Sequence, residues 1–370
     1  VNTPKTVLFI RYKKPFGIKE GGEQVTHKNY SIFCELFGVE NVEEYYMHPN
    51  LERKTVWSKI KSFPYLLANY YFGLTPQKVR QICKIAQHKD IVFIDRSIFG
   101  IIAKALKKEG FSGKIVTFFH NVEVVYYQTH IPRYALYRPF LLRCSNRNDA
   151  YSMQYSDITI AINSRDSNEL LRRYGKKTNA FVPVTFEDKH PNETPVPIAN
   201  PPTALFFGTY FPANAEGVLW FIENVLPYVD IQLQIVGKGM KQLVRTIQAL
   251  SLQQQSKIEI FSDIENIAPF IEQADFVISP IFKGSGMKVK TCETLMYGKI
   301  IMGSTESFEG YNVDFEKVGA LANTKEEYIA AIQQIPQKFN SRFNSYSRNY
   351  YLQNHTNEVA KKIFEKLLLT

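Results

Sequence analysis

Short runs of β-branched and aromatic residues recur along this 370-residue chain, each followed by a stretch with helical spacing. The runs are apolar at successive positions rather than alternate ones. Strands of that kind are buried on both faces, which demands a parallel sheet with helices on either side. In the first half they are TVLFIRY (6–12), DIVFID (90–95), KIVTFF (114–119), ITIAIN (158–163) and NAFVPV (179–184). Helical patterns lie between them, from about Glu23 to Phe37, up to Lys108, near 134–154 and over Ser164–Tyr174. The alternation then restarts with ALFFGT (204–209), IQLQIVG (231–237), KIEIFS (257–262), DFVISPI (275–281) and KIIMGS (299–304), separated by helices near 214–226, 240–250, 267–273 and 288–297. Residues 324–370 read as helices only.

A chain this long exceeds one hydrophobic core. Residues 187–202, EDKHPNETPVPIANPP, carry five prolines and suit neither a helix nor a central strand, so they read as a linker. The expected plan is α/β: a Rossmann-like doubly wound domain over 1–186, the linker 187–202, a second such domain over 203–345, and a terminal helix over 346–370 that packs back on the first domain. Ligands of open α/β sheets sit outside the carboxyl ends of the strands, so two such domains facing each other across a cleft would place the chemistry in post-strand loops.

Composition narrows the class. The four cysteines, at 34, 83, 144 and 292, are far apart and spell neither a disulfide framework nor a zinc cage. No apolar run is long enough to span a membrane, and the apolar stretch near the start is too short for a secretory leader, so a cytoplasmic location is expected. The net charge of +10 is uneven. Residues 1–186 hold 28 Lys and Arg against 15 Asp and Glu, and residues 187–370 hold 17 against 20. That excess suits anionic partners. Nucleic acid ranks last among them, because no recognised module is present.

Four loops can carry chemistry. After the first strand, Gly21 and Gly22 precede a helix, where glycine backbone and helix amides favour an anion; no G-x-G-x-x-G is present, so a nicotinamide enzyme loses support. After KIVTFF stand His120, Asn121, Val122 and Glu123, polar groups at the mouth of a sheet, with His120 placed to donate to a substrate hydroxyl. In ALFFGTYFPANAEG, Gly208 after the buried strand suits close approach of phosphate, and Asn214 reads as a helix cap. The most informative loop runs PIFKGSGMKVKTCETLMYG, where Gly284, Ser285 and Gly286 lead into a helix with Lys288 and Lys290 in its first turn and Glu293 one turn later. Lysine there opposes the helix dipole and asks for a compensating anion, such as a diphosphate. The plainer alternative pairs Glu293 with Lys290 or Tyr297 across a turn.

Taken together, FFGTYFPANAEGVLWFIENVLP, IVGKG, FSDIENIAPFIEQADFVISPI and GSGMKVKTCETLMYGKIIMGSTESFEGY resemble the retaining GT-B glycosyltransferases of the family 4 type, the glycosyl transferases group 1. The resemblance covers most of 203–322. It implies a GT-B architecture whose two domains close on a nucleoside-diphosphate-sugar, UDP- or GDP-linked, with no further cofactor. By resemblance Glu293 binds the ribose, Lys288 and Lys290 hold the diphosphate with the Gly286 and Met287 amides, and Ser262 to Ile264 receive the base. Gly208 would approach the phosphates. Gly21, Gly22 and His120 would serve the phosphate and the transferred sugar, so that His120, Lys288 and Glu293 carry catalysis. Two departures stand out: the family's usual first glutamate is replaced by Ser285, and the usual Arg and Lys are absent from GTYFPANAEG.

The implied activity is sugar transfer, with retention of configuration, to a glycan or lipid-linked acceptor in cell-surface polysaccharide synthesis. No D-x-D is present, so a required metal is not expected. Lys54, Lys59 and Lys61 ahead of SFPYLLANYYFGL (62–74) suit peripheral contact with an anionic membrane, although core packing accounts better for those aromatics. A sugar-nucleotide epimerase or hydrolase, or a catalytically silent GT-B partner protein, stays open as an alternative.

Overall fold

A computed structural model describes residues 5–13, 21–48 and 63–369. Lys54, Lys59, Lys61 and Ser62 lie outside the described residues. The chain forms two compact units, one running to Pro183 and regaining the chain from Ala360, the other spanning Val184–Val359.

The first unit is built on six parallel strands: β1 Val7–Lys13, β2 Val42–His48, β3 Ile91–Ile94, β4 Lys114–Phe119, β5 Ile158–Ala161 and β6 Ala180–Phe181. Their order is β2-β1-β3-β4-β5-β6. Val7–Ile10 and Ile91–Ile94 are completely buried, as continuous apolar strands require. Phe9, Phe33 and Phe93 form an aromatic core, and Phe364 closes it at 5.2 Å from Phe33 and 6.0 Å from Phe93. The last turns of the chain are further held by Lys5, whose Nζ donates to the Leu368 carbonyl at 2.7 Å.

The second unit repeats the plan with β7 Thr203–Phe207, β8 Gln232–Gly237, β9 Ile258–Ser262, β10 Phe276–Ser279, β11 Ile300–Gly303 and β12 Gly319–Leu321, in the order β12-β11-β10-β7-β8-β9. The proline-rich stretch has no helix or strand and belongs to this unit. Arg348 donates to Asp188 through Nη1 and Nη2 at 2.8 and 2.7 Å and to Glu193 through Nε at 2.8 Å, while Asp275 accepts from the Ala199 and Thr203 amides. Helices Lys325–Lys338, Ser345–Asn354 and Asn357–Leu368 end the chain.

Several features differ from the sequence reading, among them helix Pro76–Ala86 and the short strand β12, neither of which was read. β2 (VEEYYMH) went unread because it is an edge strand with acidic residues at its second and third positions, so its apolar run is broken. NAFVPV pairs only through Ala180–Phe181, since Pro183 has no amide to extend the ladder. The helix near 240–250 is a 3-10 turn, Met240–Leu243, running into the short helix Val244–Gln248.

Candidate functional site

In each sheet the strand order reverses at one point, between β1 and β3 in the first unit and between β7 and β10 in the second. At such a point successive crossovers diverge and leave a crevice beyond the carboxyl ends of the strands. The predicted site residues gather beyond these two points.

In the second unit Gly208 follows β7, Ser262 ends β9, and Gly284–Lys290 follow β10. Gly208 has φ +150°, and a Cβ there would lie 3.1 Å from Asn214 Nδ2 and 3.3 Å from Lys290 Nζ, so glycine keeps this floor open. Lys290 Nζ donates to Asn214 Oδ1 at 2.9 Å and lies 4.2 Å from the centre of the Phe206 ring. Among the described residues no carboxylate pairs with it. Burial, reinforced by the neighbouring Lys288 charge, pushes its pKa down to about 7. Glu293, one turn on, is partly buried; desolvation pushes its carboxyl up to about 7, against a smaller opposing pull from Lys189.

Lys288 stands differently from its expected role. It is the N-cap of helix Val289–Met296 rather than a first-turn residue, and its Nζ bonds Glu306 Oε1 at 2.6 Å, the Gly286 carbonyl at 3.0 Å and the Ser285 carbonyl at 3.2 Å. It therefore braces the GSG loop and is already balanced by a carboxylate. The uncompensated positive charge falls to Lys290. Asn214 is likewise not a cap. Helix Pro212–Asn224 has Phe211 at its N-cap, and Asn214, inside the first turn, donates to the Thr209 carbonyl at 2.7 Å while accepting from Lys290. Lys290 thus bonds Asn214 rather than Glu293, while the Glu293 charge still acts on Tyr297, whose hydroxyl burial and that charge push up to about 12.

Beside the GSG loop, the loops after β8 and β9 are cross-tied. Ser262 Oγ accepts from the Lys241 amide at 3.1 Å, Asp263 Oδ1 accepts from the Gly239 amide at 2.9 Å, and Ile264 is partly buried next to them. On the other flank the loop after β11 clamps the helix start, with Thr291 Oγ1 donating to the Ser307 carbonyl and Tyr311 OH to the Lys288 carbonyl, both at 2.7 Å.

In the first unit a cavity of about 320 Å³ is lined by Gly22, His120, Asn121, Arg96, Lys13 and Tyr126, among others. Gly21 and Gly22 open helix Gly21–Phe37, and a Cβ on Gly22 would stand 3.0 Å from Arg96 Nη2. His120 is buried at the end of β4, its Nε2 3.2 Å from Asp95 Oδ2. Asp95 is wholly buried and also accepts from Thr26 Oγ1 and, at 3.1 Å, from Asn29 Nδ2. Burial disfavours its charge, but these donors and His120 together hold its carboxyl below the usual range. An ionised Asp95 only accepts, so His120 carries its proton on Nε2. Burial lowers the His120 pKa, so the neutral ring presents Nδ1 as an acceptor, the reverse of the donor role its position suggested. Glu123, the first residue of helix Glu123–His130, is buried. Desolvation raises its carboxyl to about 7 against the Arg96 charge.

Residues 201–337 match the family model Glycosyl transferases group 1. Sucrose-phosphate synthase from Thermosynechococcus elongatus superposes with a TM-score of 0.72 at 15% identity, over 98% of each chain. HepE from Anabaena, solved in complex with UDP-glucose, gives 0.67 at 12% identity over 99% of each chain. The lipopolysaccharide outer core galactosyltransferase WaaB gives 0.65 at 14% identity, over 98% of this chain and 99% of its own. The fold is GT-B, with a group 1 glycosyl transferase match in the second unit. No curated protein matches the sequence.

Within this GT-B chain, sequence reasoning missed Glu306, Asp95 and Arg96. Glu306 lies inside the GSTESFEGY segment that carried the resemblance, and its position beyond a strand was the available signal. Asp95 and Arg96 close DIVFIDR at the carboxyl end of β3, beside the strand-order reversal, and the same rule points to them.

Proposed function

We propose that this protein transfers a sugar from a nucleoside-diphosphate-sugar to a glycan or lipid-linked acceptor, with retention of anomeric configuration, in cell-surface polysaccharide synthesis. The observation that carries the reading is Lys290, an ammonium with no partner carboxylate among the described residues, set between Gly208, Asn214 and the start of helix Val289–Met296. A partly buried cation without a counter-ion is costly, and a diphosphate is the group whose charge and shape answer it.

In this reading Lys290 and the Gly286 and Met287 amides hold the donor diphosphate, Glu293 takes the ribose hydroxyls, and the Ser262–Ile264 loop receives the base of a UDP- or GDP-sugar. Lys288, tied to Glu306, keeps the GSG loop in shape. As the bond between the anomeric carbon and the β-phosphate oxygen breaks, negative charge grows on that oxygen, and Lys290 and the helix amides stabilise it. Removing one such contact costs on the order of 10²–10³ in rate. The acceptor hydroxyl attacks the anomeric carbon on the face the phosphate leaves, and its proton passes to the departing phosphate oxygen. His120 Nδ1, aimed by Asp95, accepts a hydrogen bond from a sugar hydroxyl.

The charge is supplied by protein groups, so the reaction needs no metal. Support also comes from the group 1 match over 201–337 and from HepE, whose UDP-glucose complex shares the fold. Incubating the full chain with UDP- and GDP-sugars and candidate lipid-linked acceptors, with and without EDTA, tests the proposal. Acceptor-dependent release of nucleoside diphosphate, unchanged by EDTA, with the donor's anomeric configuration kept in the product, is expected. Turnover of donor to a free or epimerised sugar, indifferent to acceptor, would instead show a hydrolase or epimerase.

A further inference from the structure

Among the described residues the two most exposed large apolar side chains are Leu136 (91%) and Tyr134 (87%), and they stand two residues apart. They sit on an ordered turn. The Ala135 amide donates to the Pro132 carbonyl at 3.1 Å and the Arg138 amide to the Ala135 carbonyl at 2.9 Å, while the Arg138 guanidinium caps the Ile131 and Gln128 carbonyls at 3.2 Å. The turn leads into helix Arg138–Tyr155, whose Leu141, Cys144, Ser145 and Asn148 are buried. On its exposed side stand Phe140, Arg143 and Arg147, three and seven residues apart and therefore on one stripe. Phe63 meets Phe140 edge-on at 5.0 Å, and Tyr65 and Leu67, in the same short segment as Phe63, are exposed as well.

We propose that the turn at 131–137 and the outward stripe of helix Arg138–Tyr155 form a docking surface for an anionic lipid bilayer. Charge complementarity selects this occupant. Residues 131–148, IPRYALYRPFLLRCSNRN, hold four arginines and no Asp or Glu. A second copy meeting this face across a two-fold axis would set those arginines against their own copies, which repel. A soluble polyanion pairs with arginine but leaves Leu136 and Tyr134 in water. An anionic bilayer satisfies both, taking the apolar groups at the acyl boundary and the arginines at the headgroups. The helix that leads into the turn, Glu123–His130, carries Tyr126, which lines the cavity of the first unit. For its purpose, delivery of a lipid-linked acceptor, the surface rests on the proposed function; for its evidence it does not.

The test is sedimentation of the full chain with vesicles of phosphatidylcholine alone or mixed equally with phosphatidylglycerol. Binding to the mixed vesicles only, weakening as salt is added, is expected. Tyr134→Glu with Leu136→Glu should weaken binding on the order of tenfold or more. Arg143→Gln with Arg147→Gln, which leaves the apolar turn intact, should weaken it roughly 25-fold at about fivefold per arginine. Circular dichroism and calorimetry of UDP and GDP binding should be unchanged in both variants, so a failed docking surface and a failed donor site are told apart. Absence of binding to phosphatidylglycerol vesicles, or equal binding by parent and variants, overturns the proposal. So does a concentration-dependent dimer that Leu136→Glu dissolves, which would give this face to a second copy.

Discussion

Lys290 and Glu293 stand three residues apart on one helix, and their titrations oppose each other. The folded Lys290 pKa is about 7, below its ordinary 10.5, so its burial costs the full amount below pH 7 and the cost fades as pH rises toward the usual lysine range. Glu293 is raised to about 7 from 4.5, so its contribution is fully present below the ordinary carboxyl range and is lost as pH rises through 7. The unliganded chain should therefore show its weakest contribution from this pair near neutrality. Lys290→Met, which removes the partly buried ammonium and keeps much of its volume, should raise the melting temperature by about 2–4 °C at neutral pH. A melting temperature that falls in the variant would show that the lysine is structural. A bound diphosphate favours the charged lysine, so the thermal shift given by UDP or GDP should shrink as pH is raised above 7; a shift that grows with pH contradicts this. In the first unit, Asp95→Asn removes the ionised acceptor that fixes the His120 tautomer. It should lower kcat about tenfold or more and move the acidic limb of the pH profile, with little effect on donor KM. An unchanged profile would leave Asp95 a purely structural residue.

The elements bring these side chains together through contacts that helical and strand periodicity does not express. Gly217 lies on helix Pro212–Asn224 where an added Cβ would fall 2.0 Å from the Pro280 carbonyl oxygen, so this glycine lets the helix seat against the chain just beyond β10. Gly217→Ala should cost about 1–3 kcal/mol in urea unfolding and should weaken nucleotide binding as well, because the same chain leads into Gly284–Lys290. Stability unchanged within error would contradict that packing. Strands with unbroken apolar runs, such as β1, β3, β4 and β10, were legible because burial on both faces leaves one pattern. β2 was not, since an edge strand tolerates Glu43 and Glu44. Helix Val289–Met296 was legible too, but the partner of Lys288 was not: Glu306 comes from a different loop, 18 residues on, and only the β10–β11 pairing brings the two together.

Across the whole molecule, two six-stranded parallel sheets of matching design each carry polar groups beyond a reversal of strand order, and the chain ends by regaining the first unit through Phe364. The duplication was visible in the sequence as a β/α alternation that restarts after the prolines. The division of charge was visible as well, with the basic excess in the residues that form the first unit. Among the described residues no helix is long and apolar enough to cross a membrane. The most direct measurement is calorimetric titration of UDP and of GDP into the full chain and its Lys290→Met variant, without added metal. One of the two nucleotides should bind the parent, and the variant should bind it on the order of tenfold or more weakly while the bare nucleoside is unaffected. Equal affinity of parent and variant for that nucleoside diphosphate would contradict the claim that Lys290 holds the diphosphate.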